Sequence, residues 1–173
     1  MTDRPSENAH ALGSLRLADG KGIVHIELRF DSSIDDVWSA LIEPERLAGW
    51  LGKFEGHLRR GGSFRARFFA SEWEGTGRIN VCEPPRHLVV STTEAGARDV
   101  HVMELTMSAK GDQTVLVFEE RGVPRGQLAA YGAGNQIHLE DLAAYLTGSE
   151  RCDARVRWKE LMPAYSGLTL DLA

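Results

Sequence analysis

Two ionisable residues in the second half of the chain fall where strand alternation turns side chains toward an interior. His101 shares parity with Met103, Leu105 and Met107, and Glu120 shares it with Leu116 and Phe118. If both inward sets face one side of a sheet, the hairpin loop between them holds an even number of residues, because an odd loop would flip one strand relative to the other. A two-residue loop at Lys110-Gly111 would set His101 opposite Glu120; a loop recentred by one residue would make them diagonal neighbours, about 7 to 8 Å apart. Either register puts an imidazole beside a carboxylate in an apolar wall, the pairing that general acid/base chemistry uses. The plainer alternative is that both lie near strand ends and reach solvent. A second group is helical: Tyr131, Asn135, His138 and Leu142 follow one another at spacings of four, three and four, which stacks them in one column. The plain role for His138 is a helix-face histidine bonded to a backbone group or water, and Asn135 can simply face water.

Sharper catalytic signatures do not occur in the sequence. There is no Gly-x-Ser-x-Gly elbow, no Walker loop and no complete Gly-x-Gly-x-x-Gly; Gly132-x-Gly134 lies inside a helical stretch rather than after a strand. The six histidines are scattered over different elements, and Cys82 and Cys152 are too far apart for a disulfide framework or a zinc cluster, so neither a metal nor another cofactor is expected. A formal charge of −5 on 173 residues disfavours a grip on phosphate backbone. The one dense basic run, Arg59-Arg60 with Arg65 and Arg67, reads as a solvated strand face, and no nucleic-acid partner is expected. Met1 to Leu17 lacks the apolar centre of a signal peptide, and no stretch approaches the roughly 20 apolar residues of a membrane span. No membrane partner is therefore expected, and a cytoplasmic location with reduced thiols is.

The elements that must position these residues are organised around Ile34 to Trp50. Ile34, Val37, Trp38, Leu41 and Ile42 recur at helical spacing, Ser33, Asp35 and Asp36 supply capping oxygens and negative charge at the start, and Pro44 stops this helix and opens a second. Before it, Ile23 to Phe30 alternates as a half-buried strand. After it, strands follow over Lys53 to Arg59, Ser63 to Phe69, Trp73 to Val81, His87 to Thr93, His101 to Ser108 and Thr114 to Arg121. Seven short strands adjacent in sequence form an antiparallel meander rather than a parallel sheet. Pro124 then opens a long helical stretch, with Leu139, Leu142, Ala143 and Leu146 on one stripe, that Gly148 ends. Residues 1–20 read as a flexible arm, 21–148 as one domain, and 149–173 as an extension packing on that domain or on a neighbour. In the extension, Val156, Leu161 and Met162 around Trp158 suggest a short helix before Pro163, and these apolar residues favour a homodimer if they do not fold back.

The strand followed by Val37-Trp38-x-x-Leu41 and then Pro44-Glu45-x-Leu47-x-x-Trp50 resembles the start of a START-like (SRPBCC) domain, in the AHSA-type branch named after an activator of a heat-shock-protein ATPase. Arg60-Gly61-Gly62-Ser63-Phe64, then Glu83-Pro84-Pro85-Arg86-His87-Leu88, then Gly134 with His138-Leu139, Leu142 and Tyr145-Leu146 follow in the same order, so the resemblance runs from about Ile23 to Thr147. It implies an α+β helix-grip fold, in which a curved seven-stranded antiparallel sheet wraps a long C-terminal helix, with two short helices after the first strand. It also implies a cavity between sheet and helix that takes a small apolar ligand. The sheet residues expected to line it are Phe64, Phe68, Trp73, Gly77, Met103 and Phe118, with His101 and Glu120 as the polar spot. Trp50 and the column Tyr131, Asn135, His138 and Leu142 complete the set. Asn135 stands where the family pattern has tryptophan, which removes an aromatic plug. The expected function is a binding module that holds a small apolar or amphipathic molecule between the sheet and the long helix. Alternatives are a cyclase or hydratase using His101 and Glu120, and a chaperone-associated interaction protein; the last ranks third, because the chain leaves no room for the further domain that the branch's co-chaperones carry.

Overall fold

The computed structural model of the protein describes residues 11–172. Its paired helices form where cap and proline put them. Helix α1 (Ile34–Ile42) starts at Ser33, whose hydroxyl accepts the Asp36 backbone N–H at 3.2 Å, and α2 (Pro44–Trp50) begins on Pro44, with Glu43 alone between them. The V is pinned from inside by the Trp50 indole N–H, which donates to the Ala40 carbonyl at 2.9 Å. From outside, Arg46 donates to Asp36 Oδ1 at 2.8 Å and to the Tyr145 hydroxyl at 3.2 Å.

The strands are β1 (Ser14–Ala18), β2 (Lys21–Phe30), β3 (Gly52–Gly56), β4 (Ser63–Phe68), β5 (Glu74–Glu83), β6 (His87–Glu94), β7 (His101–Lys110), β8 (Gln113–Pro124) and β9 (Asp171–Leu172). They lie in one sheet in the order β3-β4-β5-β6-β7-β8-β2-β1-β9. The expectation of seven strands is therefore corrected: eight are antiparallel, and the two-residue β9 adds itself parallel to β1. The extra antiparallel strand comes from the arm expected over residues 1–20, since Ser14–Ala18 pairs with β2 through a two-residue turn at Asp19 and Gly20 (φ 51° and 77°). Asp-Gly suits that left-handed turn, and the alternation of Leu15 and Leu17 before it was too short to register against the polar flanks. Residues 1–10 of the arm lie outside the described residues. A bulge between Ile79 and Val81 in β5 also shifts the inward set, so that Cys82 rather than Val81 packs against the core.

Pro124 ends β8 instead of opening a helix; a short turn over Arg125–Gln127 leads into α3 (Leu128–Leu146). Ala133, Ile137, Leu139 and Leu142 of α3 join Val24, Ile26, Leu28 and Leu116 of the sheet and Val37 and Trp38 of α1 in one core. The α+β helix-grip arrangement expected from the resemblance is the one observed. The extension forms a thirteen-residue helix, α4 (Ala154–Ser166), which runs through Pro163 rather than stopping before it. Asp153 caps it, accepting the Arg155 and Val156 N–H groups at 3.0 and 3.2 Å.

Helix α4 packs on α3 within the same chain. Leu161 and Tyr165 are buried there, and the Tyr165 hydroxyl donates to Gln136 Oε1 at 2.5 Å while accepting the Gly13 N–H at 2.9 Å. A Cβ on Gly132 would stand 2.6 Å from the Tyr165 ring, so only glycine allows this approach. Arg157 reinforces it with two bonds to the Glu140 carboxylate, at 2.8 and 3.0 Å. No helix among the described residues is long and apolar enough to cross a membrane.

Candidate functional site

Between α3, α4 and the sheet lies a cavity of about 680 Å³. Two of the α3 residues that line it, Ala130 and Gly134, are small, and a Cβ on Gly134 would meet nothing within 4 Å. One wall is aromatic. Phe68 ends β4, Trp73 closes the turn that follows it, and their ring centroids are 4.8 Å apart. Tyr131 of α3, Trp158 of α4 and Met103 of β7 also line the cavity.

The polar spot is present in the second of the two registers open to the hairpin. Lys110 pairs with Gln113, so the loop is Gly111-Asp112; Met103 sits opposite Glu120, and His101 is the diagonal neighbour. The imidazole Nδ1 lies 3.3 Å from Glu120 Oε2, and the residues are only 7% and 3% exposed, so neither reaches solvent as strand-end residues would. Glu120 borders the cavity; His101 stands behind it, its ring 4.8 Å from that of Tyr131. The Tyr131 hydroxyl donates to Glu94 Oε2 at 3.3 Å. Burial, aided by the charges of Glu94 and Glu120, pushes its pKa well above the phenol range.

The other polar group in the wall is His138. Its Nε2 lies 3.1 Å from the Ser71 hydroxyl, its ring stands edge-on to Phe68 at 5.1 Å, and burial pushes its pKa down to about 4, which keeps it neutral at pH 7. Asn135 borders the same space, with its Nδ2 buried and unpartnered among the described residues. Among the described residues no cluster of His, Cys, Asp or Glu has the arrangement of a metal site.

Of the residues expected to line the cavity, the structure brings together Phe68, Trp73, Met103, Glu120, Tyr131, Asn135 and His138. The remainder sit elsewhere. Trp50 is buried in the joint between α1 and α2, and Phe118 and Leu142 are filled core. Phe64 packs on Phe54 at 5.4 Å and covers Gly77, where a Cβ would lie 2.3 Å from the Phe64 ring. Both border a more open groove lined by Arg65 and Arg78. Sequence reasoning missed Thr92 and Glu94 of β6, Ser71 in the turn, and Arg155, Trp158 and Lys159 of α4. Thr92 had a usable signal, its parity with Leu88 and Val90. The α4 residues had none beyond the apolarity of Trp158, which pointed to assembly instead.

The family model described as "Activator of Hsp90 ATPase homolog 1-like protein" matches residues 31–147. The chain belongs to this family. Its AHSA1-type core thus stops short of α4, so Arg155, Trp158 and Lys159 come from outside the matched segment. No curated protein matches the chain. Among solved structures it is similar to CalU16 from Micromonospora echinospora, at 28% identity and a TM-score of 0.74 over 90% of this chain and 94% of that one. It is also similar to DynU16, a protein of the dynemicin biosynthetic locus, at 25% identity and a TM-score of 0.69, over 79% of this chain and 51% of that one. EF2215 from Enterococcus faecalis shares the fold at 20% identity, with a TM-score of 0.68 over 94% of each chain.

Proposed function

We propose that this AHSA1-type protein is a binding module that holds a small, largely apolar ligand in the cavity between the sheet, α3 and α4. The observation that carries the reading is the cavity itself: its volume of about 680 Å³ falls in the range that small-molecule sites occupy, and its walls are mostly aromatic and aliphatic with a few convergent polar groups. The likeness to DynU16, a protein of the dynemicin biosynthetic locus, agrees with it.

One observation favours a second reading, an enzyme of the acid/base kind, in that His101 and Glu120 are in contact at the cavity wall. The arrangement supports it less, because His101 lies behind Glu120 and Tyr131 rather than bordering the space.

Nile red, a neutral apolar dye, tests the first reading: it should bind the native protein at about one site. Gly134→Leu should abolish binding by filling the space, while leaving stability within about 1 kcal/mol of the parent or raising it, because helix propensity gains what the added side chain does not lose to strain. Dye binding undiminished in folded Gly134→Leu would move the site elsewhere.

A further inference from the structure

We infer that the cavity selects ligands that carry a protonated amine on an aromatic or aliphatic body, with Glu120 as the counter-charge; this rests on the binding-module reading and names its ligand class. Glu120 is the most deeply buried carboxylate bordering the space, 3% exposed. Its Oε2 is taken by His101 Nδ1 at 3.3 Å, while Oε1 has no protein partner among the described residues. A carboxylate so withdrawn from bulk water gains from any donor that reaches its free oxygen, and the strongest donor a ligand can bring is a cation. The surrounding surfaces favour the same charge. Trp73, Tyr131 and Phe68 line the space, and aromatic rings attract an ammonium group through their quadrupoles; Glu94, bonded to Tyr131, adds a second carboxylate that is exposed and screened.

The opposing charges are placed where they count for less. Arg155 and Lys159 border the cavity from α4 but are exposed, where water and salt screen them. Buried His138 is neutral at pH 7 and adds no positive charge to the wall. Glu72, also exposed, lies on the turn beside Trp73 and is screened in the same way.

A charge series on one ring system tests this: 1-naphthylmethylamine, 1-naphthalenemethanol and 1-naphthoic acid, titrated calorimetrically into the intact protein at pH 7. The amine should bind on the order of tenfold more tightly than the alcohol, and the acid most weakly. Glu120→Gln should bring amine and alcohol within about twofold of each other while alcohol binding persists. An alcohol that binds as tightly as the amine overturns the inference, as does an amine preference that survives in folded Glu120→Gln. The wild-type series decides alone if that variant does not fold. Should Nile red bind but none of the naphthyl compounds, the amine inference fails and the cavity reading stands; if the dye fails as well, both fall.

Discussion

The two sides of α3 carry similar side chains and come to opposite ends. Toward β2, β8 and α1, Leu142, Val24, Leu116 and Val37 have no exposed surface. Toward β6, β7 and α4, Phe68, Trp73, Tyr131 and Trp158 are equally apolar yet surround open space. The difference lies in the small residues between. Gly132 lets the Tyr165 ring approach until no side chain would fit, while Gly134, two residues on, faces nothing within 4 Å. The same residue type brings two helices into contact in one place and leaves a hollow in the other. Apolar composition therefore does not separate core from cavity; the volume offered by the facing helix does.

The packed side should be the more costly to damage. Trp38→Ala, which removes a ring from the filled core, should lose about 3 to 5 kcal/mol in urea unfolding, whereas Trp158→Ala, at the cavity mouth, should change stability by less than about 1. Equal losses would erase the distinction between the two regions. On the hollow side, the sharper probe is pH. Burial holds the pKa of His138 at about 4, below its unfolded value near 6.5, so the unfolded chain binds more protons between those values. Its contribution is complete at pH 7, declines as pH falls through 6.5 and levels off near 4, a loss of roughly 3 kcal/mol. His138→Gln should flatten that part of the stability profile; an unchanged slope would show that His138 meets water in the cavity. A smaller effect tests the joint between the regions. Tyr165→Phe removes both hydrogen bonds of the hydroxyl and should cost about 1 to 3 kcal/mol, with loss of Gly13 amide protection in hydrogen exchange.

The sequence carried the local rules well and the depth of burial poorly. Strand parity brought His101 and Glu120 to one face and left two registers, and the structure uses the one centred on Gly111-Asp112. Parity also assigned Phe118 to that face correctly, yet it could not tell that Phe118 is covered, because depth depends on what packs above the sheet. Gly77 was expected to leave room at the cavity and instead accommodates the Phe64 ring. Helical spacing placed Tyr131, Asn135 and His138 on the cavity side, but Leu142, one turn further, passes beyond the hollow into the core. The α4 wall was out of reach, since its approach to α3 depends on Gly132 and Glu140, α3 residues with no short-range relation to Trp158.

The Tyr165 hydroxyl joins three segments that are distant along the chain: the entry to β1 at Gly13, the middle of α3 at Gln136, and the end of α4. Strand β1 and the outer helix consequently form a single cooperative unit for local opening. Fraying of β1 withdraws a donor from Tyr165, and release of α4 leaves Gly13 without an acceptor, so neither is lost at its own independent free energy. Because Trp158 rides on the same helix, the solvent barrier of the cavity mouth is set in part at the entry to β1, by an amide that lines no part of the cavity wall.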